Sequence, residues 1–283
     1  MDEILFSLEG KKQRVKHLNF SELEQNIGLI IGQNLKKYRE LRGYTQHQHA
    51  ELLGVSISQY RKYEAGIDIP KYHTLCRWTL WTGCSLYSLI RGSQYSDLFP
   101  DQLTSWRLTP FNFLLGRLKQ EPFNALLQLI YSLGFVEDVH VFKTLPEPKQ
   151  MINIEAAFEQ IEQNTYLIIA ENLRKFRAEQ ELSQEHIADL LGVNLNTYRS
   201  YESLTSPPKF SYLIAIRFIL VFGRHMSSLM PDTHFAIFLR HYIHRLSHIA
   251  PILYAVSDAQ HKQLETIFKS IEGIAKDNPL YLF

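Results

Sequence analysis

Apolar positions recur at three- and four-residue steps along most of this chain. Leu23, Ile27, Ile30, Ile31, Leu35 and Tyr38 make one such series. That spacing predicts an amphipathic helix from Ser21 to about Arg42, with Ser21 and Glu24 as its capping box and Gly43 as its stop. Thr45 and Gln48 form a second capping box, and Ala50, Leu52 and Leu53 give the helix behind it one apolar side. Gly54 marks a sharp turn, which glycine tolerates because it has no Cβ. Ser56 and Gln59 then open a third helix. Val55, Tyr60 and Tyr63 belong to its inner side, and Ile57, Ser58, Gln59, Arg61 and Lys62 to its outer side. Ala65-Gly66 stops it and Pro70 marks a loop. Two further short helices, over 75–81 and 86–90, complete a five-helix unit over 20–92.

The same pattern returns 138 residues later, ungapped from 20–72 to 158–210. Identical pairs include Glu24/Glu162, Gln25/Gln163, Asn26/Asn164, Arg39/Arg177, Gln46/Gln184, Ala50/Ala188, Gly54/Gly192, Tyr60/Tyr198, Arg61/Arg199 and Glu64/Glu202. So many identities at one offset indicate an internal duplication, which governs the reading of the whole chain. In the second unit, 151–230, a long helix is expected over 154–180. A helix pair over 183–191 and 194–202 follows, then a loop at Pro207-Pro208 and a closing helix over 210–222.

Each unit is followed by an extension, 93–143 and 231–283. The first carries helices over 111–118 and 123–133, the second over 232–249 and 259–276. The apolar surface of 111–133 is too broad for an exposed helix, so it must pack on a partner chain or on the other half. Residues 144–150, TLPEPKQ, read as the linker. Strand signals are poor throughout, and the fold class is all-α: two duplicated five-helix units, each followed by extra helices.

A chain of 283 residues has room for two domains, and a hydrophobic content of 45% lets each half bury a core. Net charge is +1, so local charge matters more than the total. The window 31–72 holds seven Lys/Arg and four Asp/Glu, and the matching window 169–210 holds five and six. Residues 1–19 form a lead-in made basic by Lys11, Lys12, Arg14 and Lys16, either a solvated tail or an arm on a phosphate backbone. No signal peptide and no membrane span is expected, which makes a reducing cytoplasm the default location. Cys76 and Cys84 read as reduced thiols near a core.

No nucleophile–base pair and no Gly-rich phosphate loop stands out, so an enzyme is not expected. His241, His244 and His248 share one side of a helix, with His234 one step back. That stripe contains no carboxylate or thiol, and no metal or other cofactor is expected. His47 and His49 are expected in solvent, with phosphate contact as the sharper alternative.

Both units resemble the lambda-repressor-like, or XRE, family of helix-turn-helix DNA-binding domains. The features are Arg39 and Arg177, the Thr45-Gln46 and Ser183-Gln184 helix starts, Ala50 and Ala188, the Leu-Gly-Val turns at 53–55 and 191–193, and Glu64 and Glu202. The resemblance covers about 60 residues of each half. It implies that the second helix of each motif lies in the major groove. The implied DNA-contacting residues are Gln46, Ser56, Ile57, Ser58, Gln59, Arg61 and Lys62 in the first unit. In the second they are Gln184, Asn194, Leu195, Asn196, Thr197, Arg199 and Ser200. It also implies structural ion pairs Arg39–Glu64 and Arg177–Glu202. Some relatives in the family carry a strand-rich self-cleaving peptidase, for which the helical remainder leaves no room.

The second unit departs from the pattern. Ser203-Leu204 replaces the Ala65-Gly66 stop, Ser200 replaces Lys62, and Glu179 and Glu181 replace Leu41 and Gly43. It either binds DNA weakly or has become a dimerisation or packing module. The expected function is a sequence-specific transcriptional regulator, a repressor, acting on double-stranded DNA as a pseudo-dimer within one chain or as a homodimer. The alternative is a protein-interaction factor, such as an antitoxin or adaptor, whose trailing helices dock a protein or enclose a small ligand.

Overall fold

The computed structural model describes residues 18–99, 105–134 and 152–277. The basic side chains of the lead-in and the 144–150 linker lie outside the described residues. Among those described, the chain is helical with one isolated β-bridge, in keeping with the all-α expectation. The first repeat runs α1 (Phe20–Leu23), α2 (Ile27–Leu41), α3 (Gln46–Leu53), α4 (Ile57–Glu64) and α5 (Tyr72–Thr82), then a 3₁₀ turn at Leu86–Ile90. Its extension holds α6 (Asn112–Arg117) and α7 (Gln120–Ser132). The second repeat runs α8 (Ile154–Gln163), α9 (Thr165–Glu179), α10 (Gln184–Leu191), α11 (Leu195–Tyr201) and α12 (Tyr212–Phe222), then a 3₁₀ turn at Met226–Leu229. Its extension holds α13 (His234–Ala255) and α14 (Asp258–Asp277).

Three helix boundaries correct the sequence reading. The first long helix is broken: Asn26 sits in the left-handed region at φ 60°, a conformation that asparagine tolerates better than most residues. Ser21 and Glu24 form no capping box. Asn19 caps α1 instead, and the Glu24 carboxylate is drawn to Arg217 and Tyr95. The second long helix breaks at the equivalent Asn164, between α8 and α9. α13 does not stop at Ile249 but continues with Pro251 inside it to Ala255.

The two repeats pack on each other about an approximate two-fold axis. An antiparallel bridge joins Lys71 to Ser211, with Tyr72 N donating to Phe210 O at 3.2 Å and Tyr212 N to Pro70 O at 3.0 Å. Tyr72 Oη donates to Met226 O and Tyr212 Oη to Leu86 O. α5 and α12 start at 72 and 212, so the repeat offset becomes 140 from here on. The loop at 203–211 has absorbed two extra residues. Each of these contacts has a mate when the halves are exchanged, which is what a two-fold relation requires.

The extensions complete the core. α13 packs on α6 and α8, with the Arg245 side chain fully buried against α6. Gly83 closes α5 at φ 68° so near α6 that a Cβ there would meet Asn112 O at 2.1 Å. The broad apolar surface of the first extension therefore finds the other half of the same chain. Leu129 and Ile274 stay exposed along an apolar cleft of about 540 Å³ between α7 and α14.

One backbone position yields a prediction. Gly43 ends α2 at φ 68°, and Glu181, its equivalent, takes φ 52°. A left-handed residue with a Cβ costs roughly 1–2 kcal/mol, partly offset by the freedom glycine gains in the unfolded chain. Glu181→Gly should therefore raise stability by about 0.5–1 kcal/mol, read as the urea midpoint. An unchanged or lower midpoint would show that the Glu181 side chain already compensates the strain.

Candidate nucleic-acid interface

Each repeat builds its motif from the caps inward. Thr45 Oγ1 accepts from Gln48 N at 3.2 Å and Gln48 Oε1 accepts from Thr45 N at 2.9 Å, the reciprocal capping box. Gly54 turns the chain at φ 69°, and Ser56 Oγ caps α4 by accepting from Gln59 N. In the second repeat Ser183 Oγ and Asn194 Oδ1 cap α10 and α11 by accepting from His186 N and Thr197 N, and Gly192 makes the turn, without a reciprocal box. Caps of this kind satisfy backbone donors that a helix start leaves unpaired.

The end of each second helix is clamped by one glutamate. Glu64 accepts from Arg39 Nε at 2.6 Å, Tyr60 Oη at 2.6 Å and Gln46 Nε2 at 2.7 Å. Glu202 accepts from Arg177 Nε at 2.7 Å, Tyr198 Oη at 2.8 Å and Gln184 Nε2 at 2.6 Å. Burial alone would raise both carboxyls, but the hydrogen bonds outweigh it and hold both below the ordinary carboxylate value. The two ion pairs expected from the resemblance are thus formed, and each motif is tied to the helix before it.

The candidate contact residues separate into groups. Ser58, Arg61 and Lys62 of α4 are exposed, and Ile57 is half-buried. Arg61 Nε donates to Gln46 Oε1 at 3.2 Å, so Gln46 has both ends of its amide engaged, one by Glu64 and one by Arg61. Gln59 donates to Asp68 in the following loop. Ser56 and Asn194 are exposed but act as caps. In α11, Asn196 and Arg199 are exposed and joined at 3.4 Å, Leu195 and Thr197 are half-buried, and Ser200 Oγ donates back to Thr197 O.

His49 corrects the sequence reading. It is fully buried: Nε2 accepts from Trp78 Nε1 at 2.9 Å, which leaves the ring proton on Nδ1 to be donated to Tyr60 Oη at 2.6 Å. Burial, with a smaller contribution from Arg39, lowers its pKa to about 3, against the pull of Glu64. This histidine reaches neither solvent nor phosphate. The signal was present in the repeat, where Ile187 occupies the same core position. His47 does remain exposed, 3.6 Å from Glu51.

No group of three or more His, Cys, Asp or Glu fit to hold a metal ion occurs among the described residues. His241 is buried and its pKa is lowered to about 3 by burial first, then by Arg245 and His244. Cys76 and Cys84 are free and buried, and burial pushes the Cys84 thiol up to about 12.

A family model described as helix-turn-helix matches the chain at residues 35–86 and again at 173–217. An uncharacterized HTH-type transcriptional regulator YqaE of Bacillus subtilis is 31% identical over 104 residues, which span 36% of this chain and 90% of that protein. The chain belongs to the XRE-type helix-turn-helix family. The SPbeta prophage-derived uncharacterized HTH-type transcriptional regulator YonR of the same organism is 29% identical over 108 residues, spanning 38% of this chain and 99% of that protein. No solved structure matches. Both family matches enclose a capped helix pair with its glutamate clamp, so this XRE-type chain carries the motif twice. No described helix is long and apolar enough to cross a membrane.

Proposed function

We propose that this chain is a sequence-specific, double-stranded-DNA-binding transcriptional regulator that presents its two helix-turn-helix repeats as an internal pseudo-dimer. The observation that carries the reading is the two-fold relation between the repeats, each with an exposed second helix. Two recognition helices related in this way suit adjacent major grooves, with half-sites about 34 Å apart. Such an arrangement suits repression by occupancy of an operator in the cytoplasm, and it needs no cofactor or catalytic step.

In the first repeat Arg61, with Ser58, Lys62 and Ile57 beside it, is the reader. Its Nε is taken by Gln46, which leaves the outer two nitrogens to fork onto a guanine edge. In the second repeat the reader is the Asn196–Arg199 pair, with Asn194 and Gln184 behind it. Asparagine suits adenine, so the two half-sites should differ. Arg61→Ala should weaken specific binding by about 1–3 kcal/mol and relax the preference at one base pair, with Arg199→Ala costing less. Competition against random DNA reads this. Equal loss on both DNAs makes Arg61 a phosphate contact, and a larger loss at Arg199 reverses the ranking of the repeats.

Selection of bound sequences from a random DNA pool, with the mass of the complex on the winning site, tests the whole reading. One chain on a site with two unlike halves supports it. Two chains on a palindrome support a homodimer in which the first repeat alone reads. Salt-sensitive binding without enrichment sinks it. The open cleft between α7 and α14 favours one second reading, a factor whose trailing helices dock a protein partner, and a copurifying partner would support that.

A further inference from the structure

The duplication preserves Glu24 and Glu162, yet neither belongs to the helix-turn-helix motif. Each reaches across to the other repeat. Glu24 accepts from Arg217 Nε and Nη2, both at 2.7 Å, and also from Tyr95 Oη at 2.8 Å. Glu162 pairs with Arg77. The two arginines hold equivalent places, each the sixth residue of α5 or α12.

Both arginines lie against the turn glycine of their own motif. Arg217 Nη1 donates to Leu191 O at 2.8 Å and to Gly192 O at 3.3 Å. Arg77 lies so near Gly54 that a Cβ there would meet its Nε at 2.9 Å. The aromatic partners cross in the same way. The Arg217 guanidinium stacks 4.5 Å over the Phe20 ring, and that of Arg77 lies 5.4 Å over Phe158. Each motif turn is thus braced by an arginine whose carboxylate and aromatic partners come from the opposite repeat.

We propose that the exchanged pairs Glu24–Arg217 and Glu162–Arg77 are positioning elements that fix how far apart and at what angle the two recognition helices stand, and so which half-site spacing the chain accepts. This rests on the two-headed DNA reading above. The bridge at Lys71 and Ser211 joins equivalent residues of the two repeats and so lies on the axis between them. The exchanged pairs lie away from the axis and grip the motifs themselves, where a small rotation moves a recognition helix most. The Glu24 pair carries the larger share, because both of its side chains are mostly buried, whereas Glu162 is more than half exposed.

The test measures binding to operators whose spacer is one or two base pairs longer or shorter than the selected one. One extra base pair turns a half-site by about 35° relative to its mate. The wild-type chain should lose affinity at least about tenfold per base pair, and Glu24→Gln combined with Glu162→Gln only about threefold. Glutamine keeps the shape and the Tyr95 bond, and the two half-sites, each isolated, report on each head alone. The expected result is a broadened spacing profile with single-half-site affinity unchanged. A spacing profile equal to wild type overturns the proposal, as does equal loss on the isolated half-sites, which would make the pairs supports of each head. Indifference of the wild-type chain to spacing refutes the two-headed reading itself.

Discussion

Arg245→Ala is expected to destabilise the chain by about 3–5 kcal/mol, by analogy with breaking a buried charged contact from one side. Arg245 is fully buried in α13. Its Nη1 donates to Leu115 O at 3.0 Å and Leu118 O at 2.6 Å, and its Nη2 to Gln120 Oε1 at 3.2 Å. The two carbonyls lie at the C-terminal end of α6, where a cation also meets the negative end of the helix dipole. The guanidinium lies 4.3 Å from the centre of the Phe123 ring. Alanine removes the donors and leaves buried acceptors, each costing about 1–3 kcal/mol, and opens a cavity as well. Arg245→Met should lose less, because it refills the volume. Urea denaturation monitored by tryptophan fluorescence reads both. A loss under about 1 kcal/mol for alanine would mean that water reaches the α6 carbonyls once the side chain is gone.

The family and the doubled motif were legible because they are local. Caps, the turn glycine and the apolar face of a short helix are set by neighbours within four residues, and the repeat printed them twice. What the sequence concealed depends on residues distant along the chain, several of them in the other half. Glu24 looked like an N3 cap beside Ser21, but a carboxylate held at 2.7 Å by two nitrogens of Arg217 outcompetes a helix start. His49 looked like a surface residue by type, and only its match to Ile187 in the repeat pointed inward. The shift of offset from 138 to 140 falls in a loop, where insertion costs little. The apolar faces of the first extension announced that they were covered, and which elements covered them could not be read without the fold. Arg61 and Asn196 stay exposed, and the proposal that they read bases rests on their chemistry alone.

Glu202→Ala should cost the second repeat about 2–3 kcal/mol at neutral pH, because three donors lose one charged acceptor while Arg177, partly exposed, can turn to water. The Glu202 side chain is 1% exposed, and three donors converge on it from the helix before the motif, the start of the first motif helix and its own helix. Its folded pKa is depressed, so it contributes stability above the unfolded value near 4.5 that is lost as pH falls through the lower native value. Glu64 adds the same dependence in the first repeat. The gap between wild type and Glu202→Ala should therefore be widest at neutral pH and shrink below about pH 4. A gap that persists unchanged in acid would assign the effect to packing. Gln184 loses its anchor with Glu202, so the second recognition helix should loosen before the first. Half-site selection on Glu202→Ala should then keep the preference read by Arg61 and blur the one read by Asn196. Blurring at both halves would mean that the two heads are coupled through the axis more tightly than their separate clamps require.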